Sequence, residues 1–327
     1  MSEAHEAPVV IVTGPTASGK SGLALRLAET FDGVVINADS MQVYRELSIL
    51  TARPDLEAMR RVPHRLYGVL PGSERCSAGR WCVMALAEIV AAQEQGRLPI
   101  ITGGTGLYLR ALLEGLDPVP EIPELVRARA RALYDEMGGP AFHAALAERD
   151  PAMAGRLHPN DRQRLVRAWE VMEATGRSLA EWQSQGTGQG TGKARARPLP
   201  KRRFWLLCQP PRARLYAACD ARFEDMMRRG ALEEVRALEA LGLEPSLPIM
   251  KALGVPELSA HLAGALTLEA AVSRAQQATR NYAKRQETWL RTQLPSAERR
   301  SAMQIEQLSE SLLDDIFSKI RRFLLTG

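Results

Sequence analysis

The residues best suited to chemistry form a complete Gly-x-x-x-x-Gly-Lys-Ser motif near the start of the chain. They are the eight consecutive residues Gly14, Pro15, Thr16, Ala17, Ser18, Gly19, Lys20 and Ser21. The glycines of such a loop let backbone N–H groups close around a polyphosphate, and the N-terminus of the next helix adds its positive dipole end. Lys20 would place a charge on the distal phosphate, and the Ser21 hydroxyl can ligate Mg²⁺. The motif therefore predicts a di- or triphosphate site with Ser21 as its metal ligand.

The segments on either side of the motif fit the strand–loop–helix unit that it requires. Residues 9–13 form an apolar run that predicts a buried strand, and residues 21–29 predict a helix with one apolar face. Similar apolar runs predict strands at 34–37, 98–102 and 204–208. Because helical patterns separate these strands, the sequence predicts an α/β fold with a parallel, helix-covered sheet, like that of P-loop NTPases.

The character of the chain changes between residues 116 and 200. Prolines open this stretch, helical patterns rich in Arg, Ala and Glu follow, and a glycine-rich, low-complexity segment at 185–192 closes it. The α/β pattern then resumes, and the last part of the chain is predicted to be almost entirely helical. We therefore predict a P-loop core formed by residues 1–115 and 201–327, with an inserted, all-helical domain at 116–200.

Composition narrows the class of protein. The 327 residues are 45% apolar and 25% charged, as in ordinary globular proteins, and are enough for about two domains. No apolar stretch reaches the roughly 20 residues of a membrane span, and the short, acidic N-terminus resembles no signal peptide, so we expect a cytoplasmic protein without membrane association. The four cysteines lack zinc-site spacing, and we expect them to be buried. A net charge of +5 suits a polyanionic partner.

Two further segments should reach the phosphate loop, because ligands of open α/β sheets lie beyond the carboxyl ends of the strands. Asp39 follows the second predicted strand, and Thr105 lies in the glycine-rich turn 103–106 after the third. By position alone, Asp39 is either a metal ligand of a nucleotide hydrolase or the N-cap of the next turn, and the glycines can simply mark a strand end. Neither the 98–102 strand nor the 204–208 strand ends in an acidic residue, which disfavours an ordinary ATPase metal site.

At this point the sequence resembles a known family, the tRNA dimethylallyltransferases, also called tRNA isopentenyltransferases or bacterial-type IPP transferases. The resemblance covers nearly the whole chain in order, and the combination of DSMQVYR, GGTGLY and HPNDRQRL is specific to this family. The matching segments are GPTASGKS (14–21), ADSMQVYR (38–45), TARP (51–54), PH (63–64), SAG (77–79), GGTGLYLRAL (103–112), HPNDRQRLVRAWEV (158–171), GALEEVRAL (230–238) and TRNYAKRQETWLR (279–291). The resemblance implies transfer of a dimethylallyl group from dimethylallyl diphosphate to N6 of adenosine 37, next to the tRNA anticodon. It also implies Mg²⁺ as cofactor and no consumption of ATP.

The resemblance implies catalytic roles for three residues. Asp39 matches a general base that accepts the proton of the adenine amine, which supersedes its interpretation as a metal ligand. Arg222 matches a second clamp on the diphosphate, although by itself it also fits a solvated helix face. Thr105 matches a residue near both the diphosphate and the incoming base. The loop N–H groups, Lys20 and a Mg²⁺ ion held by Ser21 would stabilise the departing diphosphate.

The resemblance also implies the anticodon stem-loop of tRNA as partner of a monomeric enzyme. The implied RNA contacts are Asp39, Ser40, Met41, Gln42, Thr105, Arg127, Gln163, Arg164, Leu165, Val166 and Arg167. The target adenosine must leave its stack to enter a closed pocket, at a cost of about a few kcal/mol. Basic clusters at 127–131, 193–203 and 280–291 would meet phosphates and make binding sensitive to salt, although each also fits a solvated helix face.

The sequence departs from the family pattern in places. The segment 66–70 lacks an acidic residue that commonly follows the Pro-His pair, and residues 48–50 read Ser-Ile-Leu where Asp-Ile-Gly is common. Residues 254–257 read Gly-Val-Pro-Glu where Gly-Tyr-Lys-Glu is common. That last segment contacts RNA in the family, so its RNA role here stays open.

Three other functions are compatible with parts of the sequence. An enzyme that prenylates free AMP or ADP would not need the inserted helical domain. A small-molecule kinase or NTPase is disfavoured by the absent acidic strand end and by the GGTGLY turn. A non-catalytic RNA-binding protein is disfavoured because Lys20, Asp39 and Thr105 are all present.

Overall fold

A parallel β-sheet lies at the centre of the computed structural model, which describes residues 7–116, 119–185 and 199–326. The strands lie in the order β3-β2-β4-β1-β5-β6, and all neighbouring pairs are parallel. This sheet confirms the predicted α/β class with a P-loop NTPase-like core. Its strands are β1 (Val9–Thr13), β2 (Gly33–Asn37), β3 (His64–Arg65), β4 (Leu98–Gly103), β5 (Arg203–Cys208) and β6 (Met303–Ile305).

The four predicted strands form the middle of the sheet, and two short edge strands were not predicted. β3 has two residues beside β2, and β6 has three residues beside β5. Runs this short carry no apolar period that a sequence can reveal, and they exist because a neighbouring strand offers its backbone groups. The expectation that the C-terminal part is helical is therefore corrected at β6.

Helices cover the sheet and continue beyond it. Those of the core are α1 (Lys20–Thr30), α2 (Leu56–Arg61), α3 (Ala78–Glu94), α4 (Gly106–Glu114), α10 (Arg212–Arg228), α11 (Ala231–Glu239), a 3-10 helix (Pro248–Lys251), α12 (Val255–Leu262), α13 (Leu268–Thr292), α14 (Ser296–Ser301) and α15 (Glu310–Leu325). The helices between α4 and α10 are α5 (Glu124–Met137), α6 (Gly139–Arg149), α7 (Pro151–Ala154), α8 (Arg162–Thr175) and α9 (Leu179–Gln185). Across the described ranges, no helix is both long and apolar enough to cross a membrane.

The two faces of the sheet pack against different helices, because successive side chains of a strand point to opposite faces. On one face, Val10 and Val12 of β1 pack with Leu23 and Leu27 of α1. On the other face, strand residues including Ile11 belong to a larger cluster with α3 and the C-terminal helices. Burial of each such side chain contributes about 1.5–3 kcal/mol. This packing fixes α1 directly behind β1, which sets the position of the loop between them.

Aromatic contacts hold the loop that follows β2. The Trp81 ring of α3 stacks on the Tyr108 ring of α4, with centroids 4.2 Å apart and planes 10° from parallel. The Trp81 indole N–H donates to the carbonyl of Asn37 at 2.9 Å. All three residues are buried, so the end of β2 is rigidly attached to two helices.

The chain divides into two compact units, one formed by Met1–Glu114 and Pro198–Gly327, the other by Gly115–Arg197. The second unit contains α5 to α9, and its described residues include no strand. Our predicted insertion covers 116–200, and its role in tRNA binding remains a prediction. Most of the predicted low-complexity segment at 185–192 lies outside the described residues.

A buried carboxylate organises the helical unit. Asp150 is 1% exposed, and its Oδ1 accepts hydrogen bonds from the Met153 N–H at 3.0 Å and from the Ser178 hydroxyl at 2.8 Å. These bonds cap α7 and attach the segment before α9 to it. The apolar core of the unit includes Phe142 and Leu165.

We predict that Asp150→Ala lowers the stability of the helical unit by about 1–3 kcal/mol, because the Ser178 hydroxyl and the Met153 N–H lose their acceptor. Amide hydrogen exchange of α7 and α9 in the full-length protein measures this change. Asp135→Ala is the matched control, since it removes only an exposed partner of Arg162 and should cost less than about 1 kcal/mol. Equal effects of the two substitutions would contradict the assignment.

Candidate active site

The phosphate loop is preformed between β1 and α1. A Cβ on Gly14 would overlap the backbone carbonyl of Cys208 in β5, so this close approach requires glycine. Gly19 has a φ of +85°, which is the left-handed conformation that glycine tolerates. Since Gly19 is the N-cap of α1 and has no side chain to cap with, the first N–H groups of the helix stay available to an anion.

The amide of Gln286 joins the phosphate loop to the glycine-rich turn after β4. Its Oε1 accepts a hydrogen bond from the Thr16 N–H at 2.7 Å, and its Nε2 donates to the Gly104 carbonyl at 2.9 Å. Gln286 lies on α13 and is 5% exposed. A Cβ on Gly104 would overlap this amide, so the glycine allows the approach. One side chain therefore fixes two of the three predicted site segments relative to each other.

Two cationic side chains reach the loop. The Lys20 ammonium donates to the Pro15 carbonyl at 3.1 Å, and the Arg222 guanidinium of α10 donates to the Thr16 hydroxyl. Burial lowers the pKa of Lys20 to about 8, against an opposing effect of the nearby Asp39 carboxylate. Burial also lowers the pKa of Arg222. Arg222 thus lies at the phosphate loop and not on a solvated helix face, which leaves its predicted clamp role open to it.

Asp39 is held at the end of β2 by its neighbour in the strand. The Asn37 side chain accepts from the Asp39 N–H at 2.8 Å and donates to the Asp39 carbonyl at 3.0 Å. Asp39 Oδ1 accepts from the Met41 N–H at 2.9 Å, so the alternative role as cap of the next turn is also realised. A carboxylate has about four acceptor positions, so this bond leaves capacity for a substrate proton.

Thr105 connects the β4 turn to the Asp39 segment and to α13. Its hydroxyl accepts from the Ser40 N–H at 3.0 Å, and the Tyr282 side chain of α13 lies nearby. Burial, together with the Asp39 charge, raises the pKa of Tyr282 above its ordinary value. Tyr282 is therefore a neutral phenol beside Thr105.

A cavity of about 350 Å³ opens next to these groups, and we call it the Asp39 cavity. Its polar lining includes Thr16, Asp39, Ser40, Arg222 and Tyr282 together with two further cations, Lys251 and Arg285, and much of the remaining wall is apolar. A mostly apolar pocket with a few convergent polar groups is the usual form of a small-molecule site. The apolar side chains include Met41, Leu50, Phe223, Met226 and Leu253.

Ser21 lines a different cavity, of about 230 Å³, which we call the Ser21 cavity. Thr102, at the end of β4, lines it as well. Over the residues that the structure describes, no three His, Cys, Asp or Glu side chains come together as a metal-binding group. Mg²⁺ commonly keeps several waters and binds through substrate phosphates, so hydroxyl groups beside a phosphate loop fit a metal that is held largely by the diphosphate.

A carboxylate that the sequence gave no reason to single out shapes one wall of the Asp39 cavity. Glu234 of α11 accepts from the backbone N–H groups of Ser48, Ile49 and Leu50, at 2.6, 2.8 and 2.9 Å, and from the Ser48 hydroxyl at 3.1 Å. These bonds hold the loop that presents Leu50 to the cavity. The only sequence signal was the family match at 230–238, which includes Glu234.

Gln42 supports the same loop from the other side. Its amide nitrogen donates to the carbonyls of Thr51 and Ala52, at 2.8 and 3.1 Å. The predicted RNA contact of Gln42 therefore has to coexist with a structural role of its amide.

The RNA contacts predicted on the helical unit divide by burial. In α8, Leu165 and Val166 are 0% and 6% exposed and belong to the core of the unit, so the structure assigns their side chains to packing. Gln163 and Arg164 are exposed on the same helix, and Arg167 is partly exposed beside Glu170. Arg127 lies in α5. Arg127 is only partly exposed, and for all four of these residues RNA contact remains a prediction.

Two of the predicted basic clusters include arginines with structural partners. Arg280 pairs with Asp220 at 2.5 Å, and Arg202 donates to the Phe323 and Leu324 carbonyls of α15. Residues 193–198 of the middle cluster lie outside the described ranges. Of the four free cysteines, three are buried as expected, and Cys76 is partly exposed.

Comparison with known proteins now identifies the family. The family model described as IPP transferase matches residues 42–293, and the model described as isopentenyl transferase matches residues 7–70. This chain belongs to the IPP transferase family. It is 61% identical over 293 residues to the tRNA dimethylallyltransferase of Rhodospirillum centenum, covering 89% of this chain and 91% of the relative. It is 58% identical over 320 residues to that of Paramagnetospirillum magneticum, covering 98% of both chains.

Solved structures of IPP transferases share the fold. A full-length tRNA isopentenylpyrophosphate transferase from Bacillus halodurans matches with a TM-score of 0.68 and 30% identity, over 98% of this chain and 97% of the other. A eukaryotic dimethylallyltransferase acting on tRNA matches with a TM-score of 0.77 and 26% identity, over 96% of this chain and 78% of the other. These matches confirm the family predicted from the motifs, and with it a prenyltransferase of the tRNA-modifying class.

We predict that Gln286→Ala lowers the free energy of unfolding by about 1–3 kcal/mol, because the Thr16 N–H and the Gly104 carbonyl lose their partner. The phosphate loop also loses its support, so pyrophosphate affinity should fall about tenfold, which corresponds to about 1.4 kcal/mol. Chemical denaturation and calorimetric titration measure the two effects. Gln277→Ala is the control on the exposed face of α13 and should change either quantity by less than about 0.5 kcal/mol. Unchanged pyrophosphate binding in Gln286→Ala would contradict the proposed support of the phosphate loop by Gln286.

We predict that pyrophosphate affinity falls as the pH rises above about 8. The Lys20 pKa lies at about 8, down from 10.5, so the ammonium is charged below this pH and is progressively lost above it. A bound anion favours the charged form, so binding between pH 8 and 10.5 should take up a proton. Lys20→Arg keeps its charge throughout this range, and titration calorimetry of both proteins therefore separates Lys20 from pyrophosphate's own titration. Identical pH profiles of the two proteins would rule out the lysine as the cause.

Proposed function

We propose that this IPP transferase transfers a dimethylallyl group from dimethylallyl diphosphate to N6 of adenosine 37 of tRNA, giving N6-dimethylallyladenosine and diphosphate. The observation that carries the proposal is a cavity with an apolar wall that a carboxylate, Asp39, and a cation, Arg222, both line beside the phosphate loop. Lys20 and Arg222 donate hydrogen bonds to Pro15 and Thr16 of that loop. Relatives more than 50% identical over nearly the whole chain are named tRNA dimethylallyltransferases.

Departure of the diphosphate is the first need of this reaction. As the allylic C–O bond breaks, negative charge grows on the diphosphate and the allylic carbon becomes cation-like. The Lys20 ammonium, the Arg222 guanidinium and the N–H groups at the start of α1 would stabilise that charge, and their location at the phosphate loop supports this role. Preorganised donors of this kind lower the barrier because they need no reorganisation during the reaction.

The acceptor amine is the second need, because the lone pair of an adenine amine is drawn into the ring. The N6 lone pair forms a bond to the allylic carbon while the C–O bond to diphosphate breaks. The N6 proton passes to a carboxylate oxygen of Asp39, which acts as general base. Thr105 positions this segment through its hydrogen bond with the Ser40 N–H and its contact with Tyr282.

Magnesium is the proposed cofactor. The Ser21 hydroxyl, together with the diphosphate itself, would hold the ion in the Ser21 cavity. When bound, Mg²⁺ supplies charge neutralisation of the leaving diphosphate. The protein's own contribution is to orient the diphosphate along the loop with Lys20 and Arg222.

We propose the anticodon stem-loop of tRNA as the macromolecular substrate. The exposed Gln163 and Arg164 side chains of α8 and the net charge of +5 support binding of a polyanion. We further propose that the protein acts as a monomer in the cytoplasm, because a single chain supplies the loop, the base and both cations. Prenylation of free AMP or ADP is the nearest alternative, and ATP turnover is the next.

One experiment separates these activities. The protein is incubated with Mg²⁺, labelled dimethylallyl diphosphate and either bulk tRNA, AMP or ADP, and release of phosphate from ATP is measured in parallel without prenyl donor. We expect label in tRNA alone. Label in a mononucleotide would support the alternative acceptor, and rapid ATP hydrolysis without prenyl transfer would contradict the proposed function.

We predict that Asp39→Asn lowers the single-turnover rate of prenyl transfer by about 10²–10⁴-fold, because the general base is lost. Pyrophosphate binding should persist, since Lys20 and Arg222 remain. Rapid-quench measurement with the labelled tRNA anticodon stem-loop gives the rate of prenyl transfer, and calorimetry gives the affinity for pyrophosphate. Asp314→Asn is a matched control, because Asp314 is exposed on α15 and lines neither cavity. Loss of donor binding with intact chemistry would contradict the assignment of Asp39.

A further inference from the structure

Thr102 has a buried hydroxyl that the fold does not use. The residue is 3% exposed at the end of β4, and the described part of the chain offers its Oγ1 no hydrogen-bond partner. Burying a hydroxyl without a partner is unfavourable, so an unpaired one at a ligand site calls for a ligand or its water. The backbone carbonyl of Thr102, by contrast, has a partner, because it accepts a hydrogen bond from the Ala38 N–H at 2.7 Å.

The position of Thr102 in the sheet connects it to the phosphate loop. It is level with Val12 of β1 and Asn37 of β2. Ile100, two residues earlier, packs in the cluster with α1, and period-two alternation places Thr102 on that same face. Thr102 therefore lines the Ser21 cavity together with Ser21 and Gly22 of α1.

Thr102 lies near a strand end where P-loop NTPases commonly have an acidic metal ligand. P-loop NTPases hold Mg²⁺ with the Ser or Thr of the loop and with a further aspartate. Here, β4 neighbours β1 and carries Thr102 directly before its last residue, Gly103, so the strand beside the loop supplies a neutral hydroxyl where a carboxylate would be expected. This is the absence of acidic strand ends that the sequence already indicates.

We propose that Thr102 is a positioning residue of the metal–diphosphate site, and that its Oγ1 accepts a hydrogen bond from a water of the metal's shell. Ser21 lines the same cavity and would provide the neighbouring hydroxyl. This inference rests on the proposed function, because it requires a diphosphate in the loop. It adds a residue to the site and explains how the site works without a strand-end carboxylate.

The Ser21 cavity is also lined by charged residues, and each is a possible contact of the metal in place of Thr102. Arg53 and Arg229 line it and would repel a free cation. His64 lines it as well and adds no negative charge. Asp55 is an acidic residue of the same lining, but its Oδ1 accepts from the Ala58 N–H at 2.8 Å as the N-cap of α2. A cavity with this balance favours a divalent ion that arrives already neutralised by diphosphate.

This charge balance predicts that metal binding depends on bound diphosphate. With hydroxyl groups in place of a strand-end carboxylate, the protein alone should hold a divalent ion only weakly. The diphosphate supplies the missing negative charge, so the metal should bind tightly only when diphosphate is present. The metal and the diphosphate then form one bound unit in the Ser21 cavity and the loop.

The test uses Mn²⁺ as an EPR-active probe and inorganic pyrophosphate on the full-length protein. We expect Thr102→Val to weaken Mn²⁺ binding about tenfold in the presence of pyrophosphate, which is the usual effect of losing an outer-shell partner. Metal-free binding of pyrophosphate should be unchanged. Thr102→Ser keeps the hydroxyl and should bind Mn²⁺ as the natural protein does.

Thermal unfolding provides a second measurement that does not depend on activity. Thr102→Val removes a buried hydroxyl that has no partner, so the ligand-free variant should melt at the same temperature as the natural protein or higher. A purely structural threonine would instead melt lower when replaced. A lower melting temperature, together with unchanged Mn²⁺ binding, would overturn the proposal.

The outcomes distinguish this inference from the proposed function. Equal Mn²⁺ affinity of Thr102→Val and the natural protein, with normal pyrophosphate binding, would overturn the role of Thr102 alone. A tenfold loss in Asp55→Asn, with no loss in Thr102→Val, would assign the metal to Asp55 and also overturn it. Failure of the natural protein to bind pyrophosphate would instead contradict the proposed function.

Discussion

Two partly buried cations next to the phosphate loop set the electrostatics of the candidate site. Lys20 and Arg222 have lost much of their hydration, which lowers the pKa of each, and the nearby Asp39 carboxylate offsets part of that loss. A bound diphosphate would complete the compensation. The free site therefore carries an excess of positive charge that favours anions, and the same carboxylate that moderates the excess is available to the acceptor. In the proposed reaction, anion binding and base catalysis would therefore share one set of charges.

Side chains from distant parts of the chain hold these charges in place. Gln286 joins two loops, Tyr282 lies near Thr105, and Glu234 fixes the wall that presents Leu50. All three residues belong to helices that follow β5. The residues that they approach all precede α4 in the chain. The C-terminal helices are thus part of the active site of this IPP transferase, and not only a cover for its sheet.

This arrangement explains what the sequence could and could not predict. The loop motif, the four central strands, Asp39 and Arg222 were accessible because local patterns or family motifs mark them. Gln286 and Glu234 were not recognised, because a polar residue on a predicted helix resembles a solvated one until its distant partner is known. Leu165 was assigned to RNA by its place in a family motif, but the structure buries it in the helical core. Motifs identify segments, whereas burial decides which side chain of a segment is available.

Thr102, directly before the last residue of β4, fits the proposed transfer from a diphosphate donor. In nucleotide hydrolases a carboxylate keeps the metal in the site and helps to organise water around it. A neutral hydroxyl at Thr102 would leave the metal dependent on the diphosphate, so the ion and the leaving group would enter and leave together. The proposed base, Asp39, lies instead after β2 and lines the Asp39 cavity. In the proposed reaction, the metal and the base would therefore lie beside different strands, and Asp39 would act on the adenine amine and not on the metal.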